Sequence, residues 1–336
     1  MSLDLPLIWA LLIAVAIFVY IVLDGFDLGV GILFPAVWGK AERDVMVNSV
    51  APVWDGNETW LVLGGGGLFA VFPLAYATLL PALYVPLTTM LLALIFRGVA
   101  FEMRFRARSD REQLTWDRRF QWGSYVAAFS QGLALGGFVQ GINVSGRAYA
   151  GGWWDWLSPF SVLTGFALVT GYGLLGACWL IWKTEGALQA RFRKIAARLG
   201  WATLGFIGLV SLSMLVESAP FRERWIESPY AAGAALVPVL VLAMARMFFT
   251  ALRRQWEAVP FLCALGFFLL SYIGLGISMW PMMVPPQITI WDAAAPASTQ
   301  AFLLVGAAVL IPVILIYTTY TYWLLRGKVK TGAGYH

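Results

Sequence analysis

The stretch from Asn48 to Gly67 reads Asn-Ser-Val-Ala-Pro-Val-Trp-Asp-Gly-Asn-Glu-Thr-Trp-Leu-Val-Leu-Gly-Gly-Gly-Gly and sets two carboxylates, Asp55 and Glu58, at the start of a long apolar run. A run of about 20 apolar residues can cross the roughly 30 Å hydrocarbon core of a bilayer as a helix. Acids inside such a helix are costly, and they are rare there unless they serve a function. The stretch therefore predicts a membrane helix with a functional acidic site.

Similar apolar runs recur along the whole chain of 336 residues, of which 60% are hydrophobic and 12% charged. Ordinary soluble domains contain about 25% charged residues. We therefore predict an all-α fold, a polytopic membrane bundle of about nine helices, which forms a single integral membrane domain over residues 1–336. The predicted spans are 7–33, 52–75, 78–102, 121–142, 159–182, 199–217, 230–250, 258–280 and 299–325.

The first run continues past the length of a signal peptide and lacks a basic start and a cleavage site, so we expect it to be retained as the first span. With nine spans, 18 of the 23 Lys and Arg residues fall on one side of the membrane, and only Arg147, Arg222 and Arg224 fall on the other. The positive-inside rule then places the N-terminus outside and the C-terminus in the cytoplasm. The net charge of +5 reflects this topology and does not indicate nucleic-acid binding.

Four acids and one arginine lie inside the first three predicted spans at a similar depth. They are Asp24 and Asp27 in the first span, Asp55 and Glu58 in the second, and Arg97 in the third. Residues three apart share one face of a helix, and consecutive spans run antiparallel. We expect these side chains to gather in the cytoplasmic third of the three helices.

Glycines accompany these ionisable residues. Gly25, Gly29 and Gly31 lie in the first span and Gly64–Gly67 in the second. Small residues allow helix backbones to approach closely in membranes. Close packing of these helices would bring the carboxylates near one another and near Arg97.

Three interpretations of the acidic cluster are open. In the first, an ion network only fixes the helix register, with Arg97 neutralising Asp27 or the nearby Glu102. In the second, the acids outnumber Arg97, so at least one of them carries protons along a path open to the cytoplasm. In the third, Asp oxygens and Asn57 bind a cation. The excess of acids favours the second interpretation.

The chain offers few groups for redox chemistry. Its one histidine is His336, the last residue, and intramembrane haems depend mainly on histidine ligands. Cys178 and Cys263 both lie in apolar runs, so we expect packed core thiols and no disulfide. We predict that this chain ligates no metal or haem.

Several multi-residue blocks resemble subunit II of the cytochrome bd family of quinol oxidases. They are Asp24-Gly-Phe-Asp-Leu-Gly-Val-Gly, Trp54-Asp-Gly-Asn-Glu-Thr-Trp, Phe96-Arg-Gly-Val-Ala-Phe-Glu, and Met282-Met-Val-Pro-Pro with Trp291-Asp. The likeness extends from the first span to the ninth. The short outer loops are most similar to those of the cyanide-insensitive branch.

The resemblance implies a heterodimer in the bacterial cytoplasmic membrane, in which subunit I carries haem b and haem d, oxidises quinol and reduces oxygen to water. Subunit II would stabilise that partner and contribute a cytoplasmic proton-uptake path. Asp55 matches the proton-channel aspartate of the family, and Asp24, Asp27 and Arg97 match positions around the same polar cluster. The resemblance leaves open whether a quinone or lipid binds in this subunit and whether a small single-span subunit joins the complex.

The alternative function is that of a secondary transporter or ion carrier, since such proteins also use intramembrane acids and interrupted helices to bind a coupling ion. Two features oppose it. The acids lie to one side of the midplane, and no inverted repeat is visible.

Overall fold

A computed structural model describes residues 3–227, 229 and 231–329 of the chain, so Lys330 and His336 lie outside the described residues. The described chain is almost entirely helical, which confirms the predicted all-α fold. The helices are α1 (Leu5–Ile32), α2 (Lys40–Asn48), α3 (Trp54–Val71), α4 (Pro73–Ala82), α5 (Tyr84–Phe105), α6 (Asp110–Gln140), α7 (Pro159–Lys183), α8 (Gly186–Glu217), α9 (Ala219–Arg222), α10 (Ala231–Ala234), α11 (Leu236–Arg253), α12 (Val259–Met279), α13 (Ile290–Ala293) and α14 (Ala297–Leu324), with a 3₁₀ turn at Phe34–Ala36 and a π-helical turn at Glu223–Glu227. Two antiparallel hairpins pair β1 (Val144–Ser145) with β2 (Ala148–Tyr149) and β3 (Met282–Val284) with β4 (Ile288–Thr289).

Among the described residues, seven helices are long and apolar enough to cross a membrane, or eight if the bent pair α3 and α4 is one span. The predicted count of nine is therefore approximate. The remaining predicted span, 121–142, falls on α6, where Gln131, Gln140 and several serines and glycines lower the mean hydropathy. This helix still lies inside the bundle, against α5 and α7.

The second and third predicted spans have the wrong boundaries. Instead of one helix over 52–75 and another from 78, α3 ends at Val71, α4 turns away from it by 120°, and α5 begins at Tyr84. Phe72 separates the two helices, and Pro73 is the first residue of α4. Proline lacks the amide hydrogen that a continuing helix needs, but its fixed φ suits a first turn, so it starts a new helix here.

Two helices begin earlier than predicted. α6 begins at Asp110 rather than near 121, and its preceding Ser109 accepts a hydrogen bond from the Glu112 amide at 3.2 Å. α8 begins at Gly186 rather than near 199. Several basic residues that precede the predicted spans therefore lie within these helices: Arg111, Arg118 and Arg119 in α6, and Arg191, Arg193, Lys194 and Arg198 in α8.

The core is built around α1, which packs against α3, α6 and α7. Its glycines make this possible. A β-carbon on Gly29 would clash with the carbonyl oxygen of Tyr172 and lie 2.8 Å from the Gly176 amide nitrogen, so α1 and α7 meet backbone to backbone. A β-carbon on Gly25 would lie 2.7 Å from the Tyr172 ring, and one on Gly31 would clash with Ser124. The expectation of close packing is confirmed for these three glycines of α1.

The glycine run of α3 behaves differently at its two faces. β-Carbons on Gly64 and Gly67 would each lie 3.2 Å from an isoleucine of α1. Gly65 and Gly66 are exposed, with no atom of the described residues within 4 Å of a β-carbon placed there. The expectation of close backbone approach is therefore wrong for Gly65 and Gly66 within this chain.

A buried lysine joins the end of α7 to the residues that follow α14. The Lys183 ammonium donates hydrogen bonds to the carbonyl oxygens of Leu325 at 2.6 Å and Gly327 at 3.4 Å, and the Val329 amide donates to the Lys183 carbonyl at 2.9 Å. Lys183 is 5% exposed and lies over the Trp179 ring. None of the ion pairs among the described residues includes it. We call this arrangement the Lys183 clasp.

Cys178 and Cys263 are both buried and unpaired, as expected.

Of the residues of α14, only Gln300 is buried, so this helix lies at the outside of the bundle. It is fixed near its start by the Trp9 indole, which donates a hydrogen bond to the Gln300 carbonyl at 3.1 Å.

Candidate functional site

Arg97 of α5 is the centre of a buried ionic cluster. Its Nη2 atom lies 2.7 Å from Oδ1 of Asp27, and its Nη1 atom lies 3.2 Å from Oε1 of Glu58 and 3.9 Å from Oδ1 of Asp24. The guanidinium also stacks over the Phe120 ring at 5.3 Å. One cation thus faces three carboxylates from two other helices. We call Arg97, Asp24, Asp27 and Glu58 the Arg97 cluster.

The helices place these groups in ways that the sequence predicts. Asp24 and Asp27 share one face of α1 because three residues separate them, and both side chains are 0% exposed. Glu58 lies in the second turn of α3, and its side chain is 28% exposed. Among the three acids of the cluster, Glu58 is the one that reaches the surface of this chain.

The charges of the cluster do not balance. If all its groups are ionised, three carboxylates face one guanidinium and two negative charges remain. Neither oxygen of Asp24 nor of Asp27 accepts a hydrogen bond of regular geometry from the described residues. Burying unbalanced charge is expensive, and a proton on one of the carboxylates relieves the cost. The arrangement can therefore take up and release protons.

Asp55 and Glu102 do not join this cluster. Asp55 lies one turn before Glu58 in α3, but its side chain is exposed and forms no ion pair with the described residues. Glu102 is also exposed, so the predicted pair of Arg97 with Glu102 is wrong. Five residues along a helix correspond to about 140° of rotation, which turns Glu102 away from the face that carries Arg97.

Asn57 is buried and already bonded. Its Nδ2 donates to the Leu23 carbonyl at 3.2 Å, and its Oδ1 accepts from the Tyr322 hydroxyl at 2.8 Å. It thereby connects α3 with α1 and α14. The described residues contain no group of three or more His, Cys, Asp or Glu that could hold a metal ion. The cation interpretation therefore finds no ready ligand set in this part of the chain.

A hydrogen-bond chain that the sequence does not predict reaches α1 one turn before Asp24. The Tyr172 hydroxyl donates to Oε1 of Gln131 at 2.7 Å, and Nε2 of Gln131 donates to the Tyr20 hydroxyl at 2.7 Å. Tyr20 lies one turn before Asp24. Two signals could have found it, since Tyr20 is four residues from Asp24 and Gln131 is an amide in an apolar run. The sequence gives no such signal for Tyr172.

A second ionic network, also not foreseen, lies about 10 Å further along α5 at 1.5 Å per residue. The Arg104 Nε atom lies 2.5 Å from Asp117, and its Nη2 atom lies 2.8 Å from Asp44. Arg43 binds the other oxygen of Asp117 at 3.1 Å. This network joins α2, α5 and α6, and its two arginines balance its two aspartates, which is typical of a structural role.

Comparisons of the sequence and the fold with known proteins all match proteins of the cytochrome bd oxidases. The family model described as cytochrome bd terminal oxidase subunit II matches residues 5–325. Cytochrome bd-I ubiquinol oxidase subunit 2 of Escherichia coli (strain K12) is 33% identical over 97% of this chain and 95% of that protein. Cytochrome bd ubiquinol oxidase subunit 2 of Bacillus subtilis (strain 168) is 27% identical, and the match covers 96% of both. A chain of the bd oxidase structure from Geobacillus thermodenitrificans superposes with a TM-score of 0.74 at 20% identity, covering 97% of this chain and 100% of that one, and so shares its fold.

Proposed function

The chain belongs to the cytochrome bd terminal oxidase subunit II family, and from this premise we propose that its acidic residues carry protons from the cytoplasm towards an oxygen-reducing partner. Membership makes the chain a membrane component of an oxidoreductase complex of electron transport, with a subunit I as its partner, in the cytoplasmic membrane. Family membership also decides against the alternative function of a secondary transporter or ion carrier. The observation that carries the proposal is the imbalance of charge in the Arg97 cluster.

We assign the redox centres to the partner. The residues described here contain no histidine and offer no cluster of metal-binding side chains, so they do not fit a haem. The proposed complex is a heterodimer in which subunit I holds haem b and haem d and reduces oxygen with electrons from quinol. The E. coli relative is named a ubiquinol oxidase, which supports quinol as the donor. Reduction of oxygen to water consumes protons, and an apolar bundle delivers them only through titratable groups.

The exposure of the acids supports an order along the path. Asp55 is exposed in the first turn of α3, and Glu58 lies about 4.5 Å further along the helix axis and is partly exposed. Asp24 and Asp27 are fully buried behind it. In the proposed direction, Asp55 collects the proton, Glu58 exchanges it, and the two aspartates with Arg97 set the local charge.

The proposed orientation has the N-terminus outside and the C-terminus in the cytoplasm, with the whole chain forming one membrane domain. Its support is the excess of Lys and Arg on one side of the membrane. Arg104 at the end of α5 and the basic residues near the starts of α6 and α8 are on that side. In this orientation Asp55 and Glu58 lie towards the cytoplasm. Short outer loops support assignment to the cyanide-insensitive branch. A bound quinone or lipid and a small third subunit are compatible with the proposal and are not required by it.

Replacement of Glu58 tests the path. In the purified complex, we expect Glu58→Gln to lower oxygen consumption by about 100-fold, the scale of a lost proton-transfer group, while the absorption spectra of the haems stay as in the unmodified complex. Glu102→Gln is the matched control, because Glu102 is an exposed acid of α5 that forms no ion pair with the described residues. Normal turnover in Glu58→Gln would remove the proton path from this subunit and leave the Arg97 cluster with a structural role.

A further inference from the structure

Four basic side chains are exposed on the neighbouring helices α8 and α11 without a negative partner. They are Lys194 and Arg198 of α8, and Arg246 and Arg253 of α11. None of these side chains forms an ion pair or a hydrogen bond with the described residues. The only acid in α8 is Glu217, its last residue, and α11 contains none. We call the four residues the α8–α11 basic patch.

An aromatic pair joins the two helices within this patch. The ring of Trp201 in α8 stacks on that of Phe249 in α11, with ring centroids 4.5 Å apart, and Trp201 is 67% exposed. Residues three or four apart are neighbours on a helix surface. Arg198 precedes Trp201 by three residues, Arg246 precedes Phe249 by three, and Arg253 follows Phe249 by four. The basic side chains of both helices therefore flank one aromatic surface.

Arg246 lies deeper along its helix than a membrane-facing cation usually does. Residues Ala231–Arg253 are apolar enough to cross a membrane, and Arg253 is the last residue of α11. Seven residues separate Arg246 from Arg253, which is about 10 Å along the helix axis. A lipid-facing arginine at this depth is costly unless its side chain extends towards the surface and meets a counter-charge. The described residues of this chain supply no such counter-charge.

The ligand that suits these features combines a phosphate with apolar chains. The planar guanidinium binds phosphate oxygens in pairs, which favours arginine at phosphate sites. Lipid phosphates lie at the membrane surface, where Arg198 precedes the apolar part of α8 and Arg253 ends α11. Towards the midplane the surface becomes apolar, and Leu209 and Leu242 are 52% and 70% exposed. A soluble phosphate would gain nothing from this apolar surface, whereas acyl chains would cover it.

We propose that the α8–α11 basic patch binds an anionic phospholipid. Its headgroup phosphate lies between Arg198 and Arg246, and its acyl chains lie along Leu209 and Leu242. The negative headgroup supplies the counter-charge that Arg246 lacks within this chain. The inference goes beyond the proposed proton path and does not depend on it, because the patch lies at a membrane surface in either orientation of the chain.

Lipid binding to the purified, detergent-solubilised complex tests the proposal. Native mass spectrometry would follow a titration with dioleoylphosphatidylglycerol, which is anionic, and with dioleoylphosphatidylcholine, which has the same chains and no net charge. Each basic residue near the membrane surface contributes about fivefold to the affinity for an anionic lipid. We therefore expect the double variant Arg198→Gln/Arg246→Gln to bind phosphatidylglycerol about 25-fold more weakly, with little change for phosphatidylcholine.

Arg106→Gln/Arg108→Gln is the matched control. Both arginines follow α5, are exposed and form no ion pair with the described residues, so the control removes the same charge from another part of the surface. Its affinity for phosphatidylglycerol should equal that of the unmodified complex. An equal loss in the control, or no loss in Arg198→Gln/Arg246→Gln, overturns the proposal.

Three further outcomes are decisive. If the unmodified complex binds phosphatidylcholine as tightly as phosphatidylglycerol, the apolar surface alone binds lipid and the proposal fails. If inorganic phosphate displaces phosphatidylglycerol, the patch is a site for a soluble anion and the proposal also fails. If Arg198→Gln/Arg246→Gln does not assemble, Lys194→Gln/Arg253→Gln decides, since both residues are exposed nearer the helix ends: the same loss of affinity with subunit I retained supports the lipid site, and release of subunit I indicates a protein contact and overturns it.

Discussion

Arg97 faces acids from both α1 and α3, so its charge contributes to stability as well as to any proton transfer. Removing one partner of a buried ion pair costs about 3–5 kcal/mol, because the other charges stay buried and uncompensated. We expect Arg97→Gln to lower the thermal stability of the complex strongly or to prevent its accumulation in the membrane. Arg191→Gln is the control. Arg191 pairs with Glu42 but is 41% exposed, and exposed pairs contribute about 0–1 kcal/mol. Equal thermal stability of the two variants would contradict the prediction that the buried ion pairs of Arg97 stabilise the complex more than the exposed pair of Arg191.

Asp55 provides the second prediction for a single residue. Since it is exposed and unpaired among the described residues, Asp55→Asn should fold normally and leave the haem spectra unchanged. If Asp55 collects protons for Glu58, oxygen consumption should still fall, most clearly at alkaline pH where free protons are scarce. Asp110→Asn, which alters an exposed acid paired with Lys40, should not affect turnover. Unaltered turnover in Asp55→Asn would remove it from the path without affecting Glu58.

The sequence predicts Asp24, Asp27, Asp55, Glu58 and Arg97 as one cluster because charges inside apolar runs must find one another, and spacings of three set the face. The structure brings all of these together except Asp55, which is exposed. Proximity in sequence misled the prediction for Glu102, where the angle around the helix matters more than the distance along it. The hydrogen bond between Tyr172 and Gln131 could not be predicted from the sequence, for a different reason. It depends on which faces of α6 and α7 meet, and glycine contacts decide that.

At the scale of helices, the contact of α1 with α7 is the most sensitive to change. A methyl group on Gly29 would clash with the Tyr172 carbonyl, and backbone atoms cannot move aside as a flexible side chain can. Overpacking costs about 1–3 kcal/mol in typical cores, so we expect Gly29→Ala to lower the melting temperature of the complex. Because Tyr172 would move, the variant should also disturb the hydrogen bond to Gln131.

Gly205→Ala is the control for that prediction. Gly205 lies in α8 with no atom of the described residues near a β-carbon placed there. Alanine is favoured over glycine in a helix by roughly 0.5–1 kcal/mol, so stability should stay the same or rise slightly. A similar melting temperature for both alanine variants would show that the two helices can separate without cost.

Helix ends were predicted less well than helix positions. Hydropathy finds the apolar middle of α8, but its polar first turns extend beyond the apolar window, and α6 begins in the same way. Hydropathy does not show the break at Phe72 because Pro73 is apolar like its neighbours, although proline favours a helix start there. In each case hydropathy reports burial in lipid, whereas hydrogen bonding of the backbone sets where a helix begins.

For the whole molecule, the orientation in the membrane is open to a direct test. Ser145→Cys lies in the β1–β2 hairpin on the proposed outer side, and Thr115→Cys lies in α6 on the proposed cytoplasmic side; both positions are exposed. In intact cells, a membrane-impermeant maleimide should label Ser145→Cys and not Thr115→Cys. The native Cys178 and Cys263 are 0% and 1% exposed and should stay unlabelled in the folded protein. The reverse pattern would invert the topology and place Asp55 and Glu58 on the outer side.

The Lys183 clasp bears on how the chain is made. Residues 325–329 leave the ribosome long after α7 has entered the bilayer, so the Lys183 ammonium waits, without a carboxylate, for the carbonyls of Leu325 and Gly327. A product of premature translational termination would retain an unsatisfied cation at the end of α7. Such a product would also lose the contact between residues 325–329 and the end of α7, so the clasp couples the residues after the last helix to a helix of the bundle core.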